Sequence, residues 1–239
     1  MHRHGLGIGG VFVFAVLAMA SAAPADMGSF GFSRLPGSIN SITNVTIAEN
    51  QLFMDVSDAG DGSVEFIFRN IGPQPCTITS IYFDGDVLQN ITGIAVPAGV
   101  AFSIGSSPAD LPGGKSLQVK FEADFGSSAN NPAPHNGVNP GDWVSIECLA
   151  VKGLGFADVI AALNAGTNLS KGDSTDNTLR VGLHVQAFAN GGSESLINGI
   201  STPPGDPVPV PLPPSAYAGL GMMGLMLIRR VVNVRRMAA

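Results

Sequence analysis

Few residues in this chain of 239 have the type and spacing that chemistry needs. Three aspartates, Asp55, Asp58 and Asp61 followed by Gly62, could offer carboxylate oxygens to Ca²⁺. Their spacing is not that of a helix–loop–helix calcium loop, and no glutamate follows at the ligating distance, so a turn at the surface is the favoured reading. His184, in Leu179-Arg-Val-Gly-Leu-His-Val-Gln186, shares a strand face with Arg180 and Gln186. That polar face reads as solvated sheet surface, with one contact in a glycan or metal site as the alternative. His135 falls in a Pro- and Asn-rich loop between Asn130 and Asp142. There is no Gly-x-Ser-x-Gly, no His-Glu-x-x-His and no phosphate-cradling glycine loop. The residues therefore point to no catalysis, no cofactor and no bound metal.

Two cysteines remain. Cys148 is in phase with Val144, Ile146 and Ala150, and Cys76 opens the run Thr77-Ile-Thr-Ser-Ile-Tyr-Phe83. In an oxidising compartment they could form one bridge between sheets, contributing about 4–5 kcal/mol by closing a long loop. The alternative is two separate buried thiols packing as small apolar side chains. Sugar binding would need exposed aromatic rings. Only Trp143, Tyr82 and Tyr217 are Trp or Tyr, and Trp143 could equally be core. Asn44, Asn90 and Asn168 lie in formal glycosylation sequons.

The elements that would position these groups are strands. Apolar residues alternate with polar ones in Leu52–Val56, Ser63–Arg69, Thr77–Phe83, Ile91–Val96, Val100–Ile104, Ser116–Phe125, Trp143–Val151 and Thr178–Phe188. The cleanest alternation is Ser116–Phe125, where Leu117, Val119, Phe121 and Ala123 share one side. Pro-Gly and Asn-Gly elements separate the runs. Phe156–Asn164 breaks the pattern and reads as a helix, with Gly166 just beyond its end. The expectation is an all-β, two-sheet sandwich of about eight or nine strands with one short helix.

Both ends of the chain differ from this middle. His2, Arg3 and His4 precede an apolar stretch, Ile8–Ala20, and Ala18-Met-Ala20 and Ala20-Ser-Ala22 fit the small-x-small rule. Residues 1–22 are expected to be a signal peptide cut after Ala20 or Ala22. The β domain then spans 26–200, and 201–215 form a Pro-rich linker. At the far end a stiff proline stretch leads into Ala216–Ile228, 13 residues without a charge, followed by Arg229, Arg230, Arg235 and Arg236. The arginines are stop-transfer residues that prefer the cytoplasmic side. As a helix the run spans about 20 Å, short against a hydrocarbon core of roughly 30 Å. Residues 216–236 therefore suit a temporary hold in a membrane better than a permanent one.

Charge narrows the partners. Residues 26–206 carry 7 basic and all 18 acidic residues, a net of −11. Such a surface repels nucleic acid, anionic lipid and, without bridging cations, acidic polysaccharide.

The stretch Val210, Pro211, Leu212, Pro213, Pro214 and Ser215 is the candidate sorting motif. With the apolar run and the arginine cluster behind it, it resembles the sorting signal of PEP-CTERM proteins, the bacterial substrates of exosortase. Leu212 stands where that signal usually has glutamate. Ser80–Asp84, Phe102–Gly114, Gly137–Trp143 and Val181–Ser195 also resemble a β-rich ectodomain found in front of such signals. The resemblance implies signal peptidase and exosortase as processing partners and an inner-membrane intermediate. The mature protein would then reach the cell surface or extracellular matrix, associated with exopolysaccharide or biofilm, with no catalysis of its own. A eukaryotic glycolipid anchor fits less well, because its signal ends in the apolar tail. The other functional class is a carbohydrate-binding or glycan-active β-sandwich module, for which the fold alone is weak grounds.

Overall fold

A computed structural model of the protein describes residues 27–35, 40–117, 120–167 and 177–202. These form ten strands: β1 (Met27–Arg34), β2 (Leu52–Gly60), β3 (Ser63–Asn70), β4 (Thr77–Gly85), β5 (Leu88–Ala95), β6 (Phe102–Ile104), β7 (Phe125–Ala129), β8 (Trp143–Ala150), β9 (Leu179–Gln186) and β10 (Glu194–Thr202). Three α-helices among the described residues join them: α1 (Ile42–Gln51), α2 (Ala133–Asn136) and α3 (Phe156–Gly166). The all-β expectation holds, but the sandwich of two sheets does not. All ten strands belong to one antiparallel sheet, in the order β5-β8-β3-β2-β1-β10-β9-β4-β7-β6.

The sheet wraps until it nearly closes. Phe66 and Phe68 of β3 meet Phe83 of β4 at ring-centroid distances of 5.2 and 6.3 Å, although four strands separate β3 from β4 in the sheet. The facing halves enclose one core, which includes Phe30, Met54, Val64, Ile81, Ile146, Val181 and Leu183. The core is thus sandwich-like, while the backbone ladder is continuous. A single ladder pairs more backbone groups than two separate sheets, because only β5 and β6 remain as edges.

The helices close the two ends. Leu52, Asn70, Thr77, Trp143 and Glu194 gather at one end by register. There α1 packs with Val45 and Ala48 inward. Ser41 begins this helix by accepting a hydrogen bond from the Asn44 N–H at 3.4 Å. At the other end α3 buries Val159, Ala162 and Leu163 against the core. It runs to Gly166, so that glycine is the last helical residue rather than the one beyond.

The cleanest sequence alternation is not a strand. After a single 3₁₀ turn at Gly114–Ser116, described residues 117 and 120–124 run as an irregular covering segment. Leu111, Leu117 and Phe121 join Tyr82, Leu35 and Ile197 in a second apolar cluster on the outer side of β4, β9 and β10. Leu117 and Phe121 are buried as the alternation requires, but on top of the sheet rather than within it. Gly182 makes room for this lid: a Cβ there would lie 2.8 Å from Leu111 and 3.0 Å from Phe121.

β1 and β10 lie side by side at the middle of the sheet, with Ser29 opposite Thr202. The chain therefore enters and leaves the sheet at the same end. β10 continues two residues into the expected linker.

Candidate functional site

The outer face of β8, β3, β2 and β1 carries a cross-strand row: Trp143 opposite Arg69, Arg69 opposite Phe53, and Phe53 opposite Gly31. Trp143 is not core; it is 37% exposed. It stands at the first position of β8, where the alternation that buries Val144, Ile146 and Cys148 turns it outward. Phe53 is half-buried. Between them the Arg69 guanidinium pairs with Asp55 at 2.6 Å. Ser29 Oγ donates to the other Asp55 oxygen at 2.9 Å. Deeper on the same face Glu65 accepts from Ser145 Oγ at 2.6 Å and Ser57 Oγ at 3.3 Å. These side chains hold one another in fixed positions and leave rings and hydrogen-bonding groups facing outward.

A second concavity lies where β5 nears β4 and β7. Asp84, Asp86, Leu88, Glu122, Asp124 and Phe125 border a cleft of about 500 Å³. Its carboxylates are largely committed: Asp84 to Arg180, Asp124 to the Gly85 N–H at 2.9 Å, and Asp86 to the Asn177 N–H at 3.2 Å. Burial pushes the Asp84 carboxyl above its usual range, against the opposing pull of Arg180 and the Glu122 N–H. Arg180 also donates to the Lys120 carbonyl and lies over the Phe121 ring, 5.3 Å from its centroid. This arrangement holds the lid to the sheet. Among the described residues, no group of three or more His, Cys, Asp or Glu is placed to hold a metal ion.

Several residues singled out from sequence sit elsewhere than expected. His184 is not on a solvated surface. The lid side of the sheet buries it to 8% exposure between Ser80 and Ser195, and its Nδ1 has no hydrogen-bond partner. Desolvation lowers its pKa. His135 is exposed at the end of α2.

Cys76 and Cys148 are both buried and free, so the candidate bridge is replaced by two separate thiols. Cys76 takes hydrogen bonds from Gln51 Nε2 at 3.0 Å and Asn70 Nδ2 at 3.8 Å, while Cys148 faces Val64. Asn70 and Val64 are six residues apart along β3, about 20 Å, far beyond the span of a disulfide. Burial raises both thiol pKa values, Cys76 to about 11.

Asp55 is spent on Arg69, Asp58 accepts from the Gly60 N–H at 2.9 Å, and Asp61 sits at positive φ in the β2–β3 turn. The three do not converge. Asn44 is buried and donates to the Gly191 carbonyl at 3.1 Å, which removes it as a glycan acceptor.

The expected cleavage residues Ala20 and Ala22 lie outside the described residues. So does the whole sorting motif, Val210, Pro211, Leu212, Pro213, Pro214 and Ser215, and so do the stop-transfer residues Arg229, Arg230, Arg235 and Arg236. Among the described residues no helix is long and apolar enough to cross a membrane. The chain matches no protein-family model, no curated protein and no solved structure.

Proposed function

We propose that this is an exported bacterial surface or extracellular-matrix protein. Exosortase sorts and processes it through the carboxy-terminal signal, it associates with exopolysaccharide, and it performs no catalysis of its own. The observation that carries the reading is the order of the segments after β10: prolines, Pro211, Pro213 and Pro214 among them, then an uncharged run of 13 residues, then four arginines. Shared attachment of both ends lends support. β1 begins at Met27 and β10 ends at Thr202, so a cut after Ala20 or Ala22 and a second near Pro211–Ser215 leave every described strand whole. The low fraction of charged residues and the high glycine content suit a turn-rich extracellular β protein.

Replacing Arg229, Arg230, Arg235 and Arg236 together with alanine tests the reading in the native host. The expected result is loss of membrane retention and of carboxy-terminal processing, read by fractionation and mass spectrometry. Processing that proceeds unchanged contradicts it. The alternative class, a carbohydrate-binding module, is favoured by the exposure of Trp143. The two readings are compatible if the exported domain holds polysaccharide directly.

A further inference from the structure

We propose that the outer face of β8, β3 and β2 is a binding platform for an uncharged linear polysaccharide, which lies across the strands over Trp143, Arg69 and Phe53. The proposal rests on the export reading only for where the polymer comes from. The site itself is argued from the face.

Spacing is the first ground. Trp143 and Phe53 sit in one row with one strand between them, so their backbones are two strand spacings apart, about 9–10 Å. That matches the length of two linked pyranose units, so successive like-facing rings of a chain would meet one aromatic each. Aromatic side chains offer flat apolar area to the C–H faces of sugars and lose little entropy on binding.

Hydrogen bonding is the second ground. Arg69, with its side chain 42% exposed, lies between the two aromatics; its Nε is buried and Nη2 pairs with Asp55, so Nη1 and the second Nη2 hydrogen are the donors it can offer a ligand. Asp55 accepts beside it, 15% exposed and held by both Arg69 and Ser29 Oγ. A donor fork between two rings, with an oriented acceptor beside the row, suits vicinal sugar hydroxyls, and pre-held side chains lose little freedom when a ligand arrives.

Charge decides the class of polymer. Asp55 neutralises Arg69, and Glu65 and Glu147 lie opposite each other further along the same face. The patch is net negative, so uronic-acid polymers and nucleic acids are repelled.

The test uses the protein purified from its host, in the processed form it carries there. Trp143 is the only tryptophan, so intrinsic fluorescence reports on the site directly. The probes are hexameric β-1,4-glucan, α-1,4-glucan, β-1,4-mannan and β-1,4-N-acetylglucosamine oligomers, with oligogalacturonate as the acidic comparison. We expect saturable change of Trp143 emission with at least one uncharged oligomer and none with oligogalacturonate. Trp143→Ala and Phe53→Ala should each weaken binding by about tenfold or more, as loss of one stacked ring implies, with binding to the tryptophan-free variant read by calorimetry. Ile104→Ala, on exposed β6, should leave binding unchanged. Unfolding midpoints confirm that the variants fold.

No response to any uncharged oligomer overturns the platform, as does binding that survives Trp143→Ala or a preference for oligogalacturonate. Change of emission caused only by self-association, seen by light scattering, assigns the face to a second copy and also overturns it. Failure of the platform leaves the sorting experiment untouched. An unprocessed tail combined with Trp143-dependent glycan binding would sink the export reading alone.

Discussion

The two halves of the one sheet use the same alternation and end up with opposite surfaces. On β4 and β9 the outward side chains are Ser80, Tyr82, Arg180, Gly182 and His184, all buried: Leu111, Leu117 and Phe121 cover Tyr82 and Gly182, and the Ser107 carbonyl accepts from Ser80 Oγ. On β2, β3 and β8 the outward side chains include Phe53, Arg69 and Trp143, and they remain open. By residue type alone, the first set looks more solvated than the second. What decides is the lid: the row with a glycine at Gly182 can be approached closely, and a covering chain then partners Arg180 beside it. The bare half has exposed aromatics and self-satisfied carboxylates, which is the pattern of a binding face rather than of a core.

The sharpest way to break this contrast is to compare the two Asp–Arg pairs. Asp84→Asn takes the paired carboxylate away from buried Arg180 and should cost about 3–5 kcal/mol in denaturant unfolding. Asp55→Asn, at the half-exposed Arg69, should cost under about 1 kcal/mol. Equal costs would mean that the lid does not exclude water.

A comparable gap is expected for the rings. Phe121→Ala should destabilise by about 3–5 kcal/mol, whereas Trp143→Ala should stay within about 1 kcal/mol, because its ring is largely outside the core.

Next comes pH. The folded-state pKa of His184 lies below its ordinary value of 6.5, so the unfolded chain takes up a proton first as pH falls. Stability carried by the neutral imidazole is complete above about pH 6.5 and declines below it. Unfolding midpoints at pH 7.5 and 5.5 should differ less in His184→Gln than in the parent; an identical difference would place His184 in solvent.

The smallest effect concerns the thiols. With Cys76 raised to about 11 and Cys148 raised by its burial, neither should react with a disulfide reagent at neutral pH until denaturant is added, when two thiols should appear. Absence of both thiols after unfolding would restore the bridge.

Much of the fold could be read from residues. Ser63–Arg69, Thr77–Phe83, Trp143–Val151 and Thr178–Phe188 fall on β3, β4, β8 and β9 with only end residues changed. Three strands escape the alternation for identifiable reasons. In β1 the inward residues Phe30 and Phe32 alternate with glycine and serine, a pattern too sparse beside the expected signal cut. In β7, Phe125-Gly-Ser-Ser-Ala129 has small residues because the lid side and the neighbouring strands leave little space; a Cβ at Gly126 would lie 2.3 Å from the Ile81 carbonyl oxygen. β10 mixes buried Glu194 and Asn198 with Leu196, so it lacks period two. The helix α1 has a legible start at Ser41, but its weak apolar stripe hides it.

The misplacement of Ser116–Phe125 has a different cause. Alternation states that one side must be buried; it does not state against what. The same ambiguity hides the site. Trp143 is visible as the sole tryptophan, but only the register with Arg69 and Phe53 shows that three outward side chains form one row. Closure into a single sheet depends on contacts between Phe66 and Phe83, 17 positions apart, and local pattern carries no trace of them.

The central claim is that a β domain is delivered outside the cell by a tail that is then removed. Mass spectrometry of the protein from its native host tests it most directly. The expected chain begins at Ser21 or Ala23, ends within Val210–Ser215 and is found in the surface or extracellular fraction. A chain still ending at Ala239 and recovered from soluble cytosol would contradict it.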